Sequence, residues 1–342
     1  MEDEHIIKQG GRFAAVFDGH GGSAVSHYLK QNLYAHYLQS ISQISSGTKS
    51  SRRRKTNVPE TNPPTLKKII QAFRSAFREI DSQVQQVSHW SYQGSTAVAV
   101  YLHEHWLEET YESLDERGKD KDTSFEYDSD YIDTETKKMH RQPPKIKKRN
   151  TKKTSISIPS NLSKNYQRAF TLVSFNVGDS RAILCRDGIA IPLTSDHKPN
   201  TPSEKQRIES LGGRVTWCGP VDPHTNLPIS DRGVYRMNGN LAVSRAIGDR
   251  SERPCASASV DVKVIDIMRA NGDDFIVLGS DGLWDVMKNQ DVVDFIQERI
   301  LQEEEKIEEE INEIEENNSW EMSDGKFSLS ILTVSLSSFF SF

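Results

Sequence analysis

Apolar positions along the chain follow two spacings, one of strands and one of helices. Phe13-Ala14-Ala15-Val16-Phe17 is a continuous apolar run of strand length, as is Phe275-Ile276-Val277-Leu278, and runs of this kind form strands covered on both faces. Gly94 to Tyr101 and Arg168 to Val177 read as further strands. Ala182 to Cys185 and Ile189 to Leu193, reversed by Arg186-Asp187-Gly188, read as a β-hairpin. Helical spacing governs Val25, Tyr28, Leu29, Leu33 and Tyr37, predicting a helix from a cap at Ser23 to about Gln39. Leu66, Ile69, Ile70, Phe73, Phe77, Ile80 and Val84 predict a second helix between Pro64 and about Val87, packed beside the first. A short helix carries Glu204, Arg207 and Ile208. A longer one, capped by Asn289, carries Val292, Val293, Ile296, Ile300, Ile307, Ile311 and Ile314 on one stripe, with glutamate dominating its later turns.

Between these elements lie stretches without periodicity. Residues 41–64 are rich in Ser, Thr, Asn and Pro and carry Arg52-Arg53-Arg54-Lys55, a solvated basic loop or, alternatively, a nuclear-targeting signal. Residues 103–167 begin acidic and turn basic at Lys145-Ile146-Lys147-Lys148-Arg149. With almost no apolar face to bury, they are expected to be a disordered insertion. Their aspartates lack the central glycine and flanking helices of a calcium loop. The organisation expected is therefore a folded domain over residues 1–102 and 168–300, the insertion at 103–167, and an acidic helix with a Ser/Phe-rich tail over 301–342. That tail would span about 24 Å as a helix, short of a bilayer core, so no membrane anchor is expected.

Composition narrows the function classes. A net charge of −6 does not suit a general nucleic-acid binder, which needs a basic footprint. The three cysteines, Cys185, Cys218 and Cys255, form no paired motif, so a reducing compartment, cytoplasm or nucleus, is expected. The chemistry concentrates where strands end. Phe17 is followed by Asp18-Gly19-His20-Gly21-Gly22, and Leu278 by Gly279-Ser280-Asp281-Gly282. Asp-Gly is ordinary turn chemistry, but two strands each ending on a carboxylate beside glycine carbonyls also suit hard cations such as Mg²⁺ or Mn²⁺. Asp179, in Gly178-Asp179-Ser180-Arg181, reads as a structural turn residue. Asp249, in Ser244-Arg245-Ala246-Ile247-Gly248-Asp249, reads equally well as a turn residue or as serving an outer metal site or a residue that touches one. Arg181 and Arg245 are expected to pair with carboxylates.

Six stretches in order resemble the type 2C (PPM) metal-dependent serine/threonine protein phosphatases: Met1-Glu2-Asp3, Asp18 to Gly22, Gly94 to Ala97, Gly178 to Ala182, Leu241 to Asp249, and Ser280 to Asp285. The resemblance covers most of residues 1–300. It implies an α+β fold, a four-layer α-β-β-α sandwich of two antiparallel sheets with a helix pair on each outer side. It also implies a flap beside the site, formed by residues up to about Tyr235. By the same resemblance, Asp18 bridges two Mg²⁺ or Mn²⁺ ions, Gly19 contributes its carbonyl, Asp281 ligates one ion, and Glu2 and Asp3 act directly or through a neighbour. A third ion is left open. His20 would be the general acid in hydrolysis of phosphoserine and phosphothreonine in proteins. Phosphorylated proteins are the partners expected, and a monomer the expected state. The family places an arginine-bearing strand ahead of Met-Glu-Asp and an Asp-Asn motif with a last strand at the end. Here the fold is expected to be truncated at both ends, since Asp324-Gly325 and Leu329 to Val334 only loosely echo the latter. The alternative is a type 2C-like module that binds phosphoproteins or partners without turnover.

Overall fold

The computed structural model describes residues 2–46, 64–108, 166–225, 227–229, 233–267, 272–317 and 330–333. Two compact units are distinguished. Residues 106–168 form one, of which only 106–108 and 166–168 are described, and the rest of the chain forms the other, described below.

Its first sheet has the order β1-β2-β5-β6-β12, comprising Glu4–Lys8, Phe13–Phe17, Ala97–Glu108, Tyr166–Val177 and Asp261–Ile267, of which 106–108 and 166–168 fall in the other unit. The second has the order β14-β13-β7-β8, comprising Ser330–Thr333, Asp273–Gly279, Arg181–Arg186 and Ile189–Pro192. The pairings β1–β2, β2–β5, β6–β12, β7–β8 and β7–β13 are antiparallel, whereas edge strand β14 runs parallel to β13.

Side chains alternate across each strand, and the alternation builds the layers. From β2, Ala14 and Val16 join Val98, Val100 and Leu172 against Ala182, Leu184, Ile276 and Leu278 of the second sheet, which is the inter-sheet core. The opposite face of β2, Phe13, Ala15 and Phe17, packs with Phe175 and Val177 under α1 (Ala24–Ser46) and α2 (Leu66–Val84). Phe73 is the hub of that layer, with ring centroids 3.9 Å from Tyr37, 4.6 Å from Phe175 and 5.5 Å from Phe13. On the far side Ile183, Cys185, Phe275 and Val277 pack against Leu283 and Trp284 of the four-residue α4 (Asp281–Trp284) and Val292, Val293 and Ile296 of α5 (Asn289–Asn317). The four-layer sandwich is thus present. In place of an outer helix pair on this side, α5 is the one long helix among the described residues.

Several boundaries differ from expectation. The first helix runs on to Ser46, because Ile41 and Ile44 continue its apolar face onto the core. Residues 103–108, expected in the insertion, extend β5, and β6 starts at Tyr166, so His103 is buried in a strand. The disorder expected for 109–165, the loop at 47–63 and the remainder of the tail lie outside the described residues. Asn289 does not cap α5: its Oδ1 accepts a bond from Arg181 Nη1, while Asp291 Oδ2 accepts one from the Lys288 N–H. Among the described residues no helix is long and apolar enough to cross a membrane.

A small flap stands apart from the sandwich cores. It contains α3 (Pro202–Ser210) and the ribbon of β9 (Val215–Cys218) with β10 (Val234–Met237), over a core of Ile208, Met237, Cys255 and Ala256. Cys185 and Cys255 are buried free thiols and Cys218 an exposed one.

Candidate active site

The buried strand β2 delivers Asp18 to the end of the sandwich, and the Asp18 carbonyl accepts a bond from the Thr96 N–H. The chain then forms a three-stranded patch in the order β11-β4-β3, comprising Ile247–Gly248, Gly94–Ser95 and Gly19–His20. Its register pairs Gly94 with both His20 and Gly248, which brings residue 249 over His20. Gly94 has to be glycine, since a Cβ there would collide with the Asp249 carboxylate and His20 Nε2.

Three segments far apart in sequence supply carboxylates around Asp18. Asp3 precedes β1, Asp281 opens α4 after β13, and Asp179 follows β6 at the Gly178 turn. Burial first, then the charges of Asp281 and Asp3 and more weakly that of Asp179, push the Asp18 carboxyl up to about 9. Burial also raises Asp179, opposed by Lys198, whose Nζ donates to Asp179 Oδ2. The other Asp179 oxygen, Oδ1, is buried without a partner among the described residues. Asp3 is steadied by the Ser280 hydroxyl at 3.1 Å, and the Glu2 carbonyl accepts from Ser26 Oγ.

His20 is held differently. Its Nε2 lies 2.7 and 2.9 Å from the two oxygens of Asp249, a carboxylate only 1% exposed. Burial pulls the imidazole pKa down, but the bond to Asp249 and its charge outweigh this, leaving it above the ordinary histidine value. Asp249 holds this position in a left-handed backbone conformation, φ 47° and ψ 50°, unusual for a residue with a side chain, with its N–H on the Gln93 carbonyl.

Of the residues expected from sequence, Asp3, Asp18 and Asp281 therefore come together, Gly19 and His20 follow Asp18 directly, and Glu2 adds its charge beside His20. Asp249 faces the imidazole of His20. Asp179, read as a turn residue, stands within the carboxylate cluster. The signal that could have found it is its place at the end of a buried strand beside a glycine, a setting shared with Asp18 and Asp281. Arg181 and Arg245 hold carboxylates as expected, Arg181 on Asp196 and Arg245 on Glu204 and Asp261.

The cluster suits hard divalent cations on chemical grounds. Its donors are oxygens, Asp18 is hindered from ionising without added positive charge, and a buried Asp179 oxygen lacks a donor. Among the described residues no three Asp, Glu, His or Cys side chains converge closely enough to enclose an ion unaided. Waters and the Gly19 carbonyl would have to complete a shell, as is usual for Mg²⁺.

Residues 1–108 and 112–319 match the family described as Protein phosphatase 2C. The chain belongs to the protein phosphatase 2C family. It is 49% identical over 120 residues to "Probable protein phosphatase 2C 78" of Arabidopsis thaliana, covering 35% of this chain and 25% of that protein. "Probable protein phosphatase 2C 6" of Oryza sativa subsp. japonica is 28% identical over 297 residues, covering 84% of this chain and 44% of the relative. The chain thus spans between a quarter and a half of the length of these curated relatives. Among solved structures, a phosphatase from a pathogenic strain of Toxoplasma gondii shares the fold, with TM-score 0.52, 21% identity, and coverage of 90% of this chain and 80% of the other. A C. elegans sex determining protein gives TM-score 0.51 at 20% identity, covering 85% and 50% respectively.

Proposed function

We propose that this chain hydrolyses phosphoserine and phosphothreonine monoesters in proteins, with Mg²⁺ or Mn²⁺ held by Asp18, Asp281 and Asp3 together with the Gly19 carbonyl. Family membership supports the reaction class. The observation that carries the reading is the convergence of Asp3, Asp18 and Asp281 two residues from a histidine fixed by a buried carboxylate.

When bound, such ions acidify water and offset negative charge on the phosphoryl oxygens. The protein's own contribution is positional and protonic. Asp18, at the end of a fully buried strand, gives the site a rigid origin. Water adds to phosphorus as the ester P–O bond breaks, and the departing serine or threonine oxygen needs a proton. His20 supplies it. Asp249 keeps the imidazole in its protonated form before transfer and fixes the ring so that the other nitrogen, Nδ1, is left for the substrate side. Lys198, on Asp179, restrains the accumulation of negative charge at the back of the cluster.

The test is phosphate release from a phosphothreonine peptide with Mn²⁺ or Mg²⁺, compared with EDTA and with Asp18→Asn. Metal-dependent release abolished by Asp18→Asn is expected. Release no greater than that of the variant would discard hydrolysis in favour of a phosphoprotein-binding module.

A further inference from the structure

Helix α2 buries Ile69, Phe73, Phe77 and Ile80, and stands Arg74 and Arg78 on its exposed side. The two arginines are four residues apart, so their side chains are neighbours on adjacent turns and repel each other. Both line an open cavity of about 500 Å³ completed by Asp81, Ala258, Ser259 and Val260. Among the described residues neither guanidinium has an ion-pair or hydrogen-bond partner in the protein. Arg181, Arg186, Arg207, Arg245 and Arg253 each hold a carboxylate instead.

The one carboxylate in the cavity wall does not answer this charge. Asp81 Oδ1 already accepts from Arg253 Nη2 at 2.7 Å and from the Gly248 N–H at 3.0 Å. Glu79, also on α2, faces His36 of α1 at 3.6 Å. Two positive charges are thus left uncompensated at one cavity of a chain whose net charge is −6.

We propose that the Arg74–Arg78 cavity is a binding site for a phosphate monoester dianion, on a different element from the carboxylates grouped around Asp18. Each guanidinium presents a planar fork of donors that fits phosphate oxygens, and the paired positive charges match a dianion better than a single carboxylate. Ser259 is a further polar residue of the wall. The cavity is roomier than a bare phosphate requires, which favours a phosphate carried on a protein side chain. This site does not depend on hydrolysis: its connection to the other is Asp81, whose partner Gly248 precedes Asp249.

The full chain carrying Asp18→Asn, kept in EDTA so that no arm turns over substrate, is titrated by calorimetry. The probes are a phosphothreonine peptide, the same peptide with glutamate in place of phosphothreonine, and inorganic phosphate. The phosphothreonine peptide is expected to bind, more weakly as salt is raised, and Arg74→Gln/Arg78→Gln to weaken it by about tenfold or more with unchanged melting temperature. The glutamate peptide should bind about tenfold or more weakly than the phosphopeptide. Free phosphate binding as tightly as the peptide, with the same dependence on both arginines, would identify the ion itself as ligand. A much tighter peptide would identify a phosphoprotein, and both results support the site. Equal affinity in parent and double variant, or equal binding of the glutamate peptide, overturns it. Should the double variant fail to fold, Arg74→Gln and Arg78→Gln alone must each weaken binding, and no effect of either overturns the proposal.

Discussion

Glu204 links the flap to the loop that presents Asp249, and its removal tests how far that link stabilises the fold. The residue is 3% exposed. Its Oε1 accepts from Arg245 Nε at 3.1 Å and Nη2 at 2.7 Å, and its Oε2 from Arg207 Nη2 at 2.7 Å. Burial opposes ionisation, but the two arginines win and hold the carboxyl down from 4.5 to about 2. A difference of about 2.5 pH units corresponds to about 3 kcal/mol of folding stability at neutral pH. Because the folded group titrates below the unfolded one, this contribution is complete above about pH 4.5 and is lost as the pH falls through about 2. By pH 3 about 2 kcal/mol of it should already be gone. In Glu204→Gln, Arg245 keeps Asp261, and Arg207 keeps the Cys255 and Ser244 carbonyls, so the loss at pH 7 should stay near about 3 kcal/mol, at the lower edge of that for a broken buried pair. The assay is urea unfolding of both proteins from pH 7 to pH 3. Asp261, also held below its usual range, titrates in both and cancels in the difference. A stability gap equally large at pH 7 and pH 3 would refute the reasoning.

Two further outcomes are expected. Asp249→Asn should lower kcat on a phosphothreonine peptide by roughly tenfold to a hundredfold, with a much smaller loss on an aryl phosphate whose leaving group needs no proton; equal losses on both would argue against acid catalysis through His20. Phe73→Ala should cost about 3–5 kcal/mol in urea unfolding, because the ring is fully buried, stacked on Tyr37 and Phe13 and packed against Phe175, and a cost under about 1 kcal/mol would contradict that packing.

The sandwich was legible because each buried strand carries its layer assignment in its own sequence. Continuous apolar runs such as Phe13 to Phe17 have to be covered on both sides, and helices with one apolar stripe have to cover something. Ends were less legible. Nothing in His103-Glu104-His105-Trp106 reads as strand, since β5 continues there by pairing along the sheet rather than by an apolar pattern, and Arg12 reaches Glu104 from across it. Asn289 misled for a related reason. A side chain suited to capping was claimed by Arg181, which comes from β7 and is not visible in local sequence.

The site shows the same division between what a motif carries and what packing adds. Asp18 and Asp281 announce themselves because each ends an apolar run, and a strand end is a fixed position. Asp179 has the same local form, yet its proximity to Asp281 depends on β7 lying beside β13, a long-range pairing that no spacing encodes. The His20–Asp249 bond is more remote still, its partners 229 positions apart in sequence, and it exists because Gly94 lets two short strands close on either side of it. Glycine in that strand reads in sequence as weak β propensity. In the fold it is the space into which the carboxylate and imidazole meet, so Gly94→Ala should disturb the histidine while Asp18 and Asp281 keep their places.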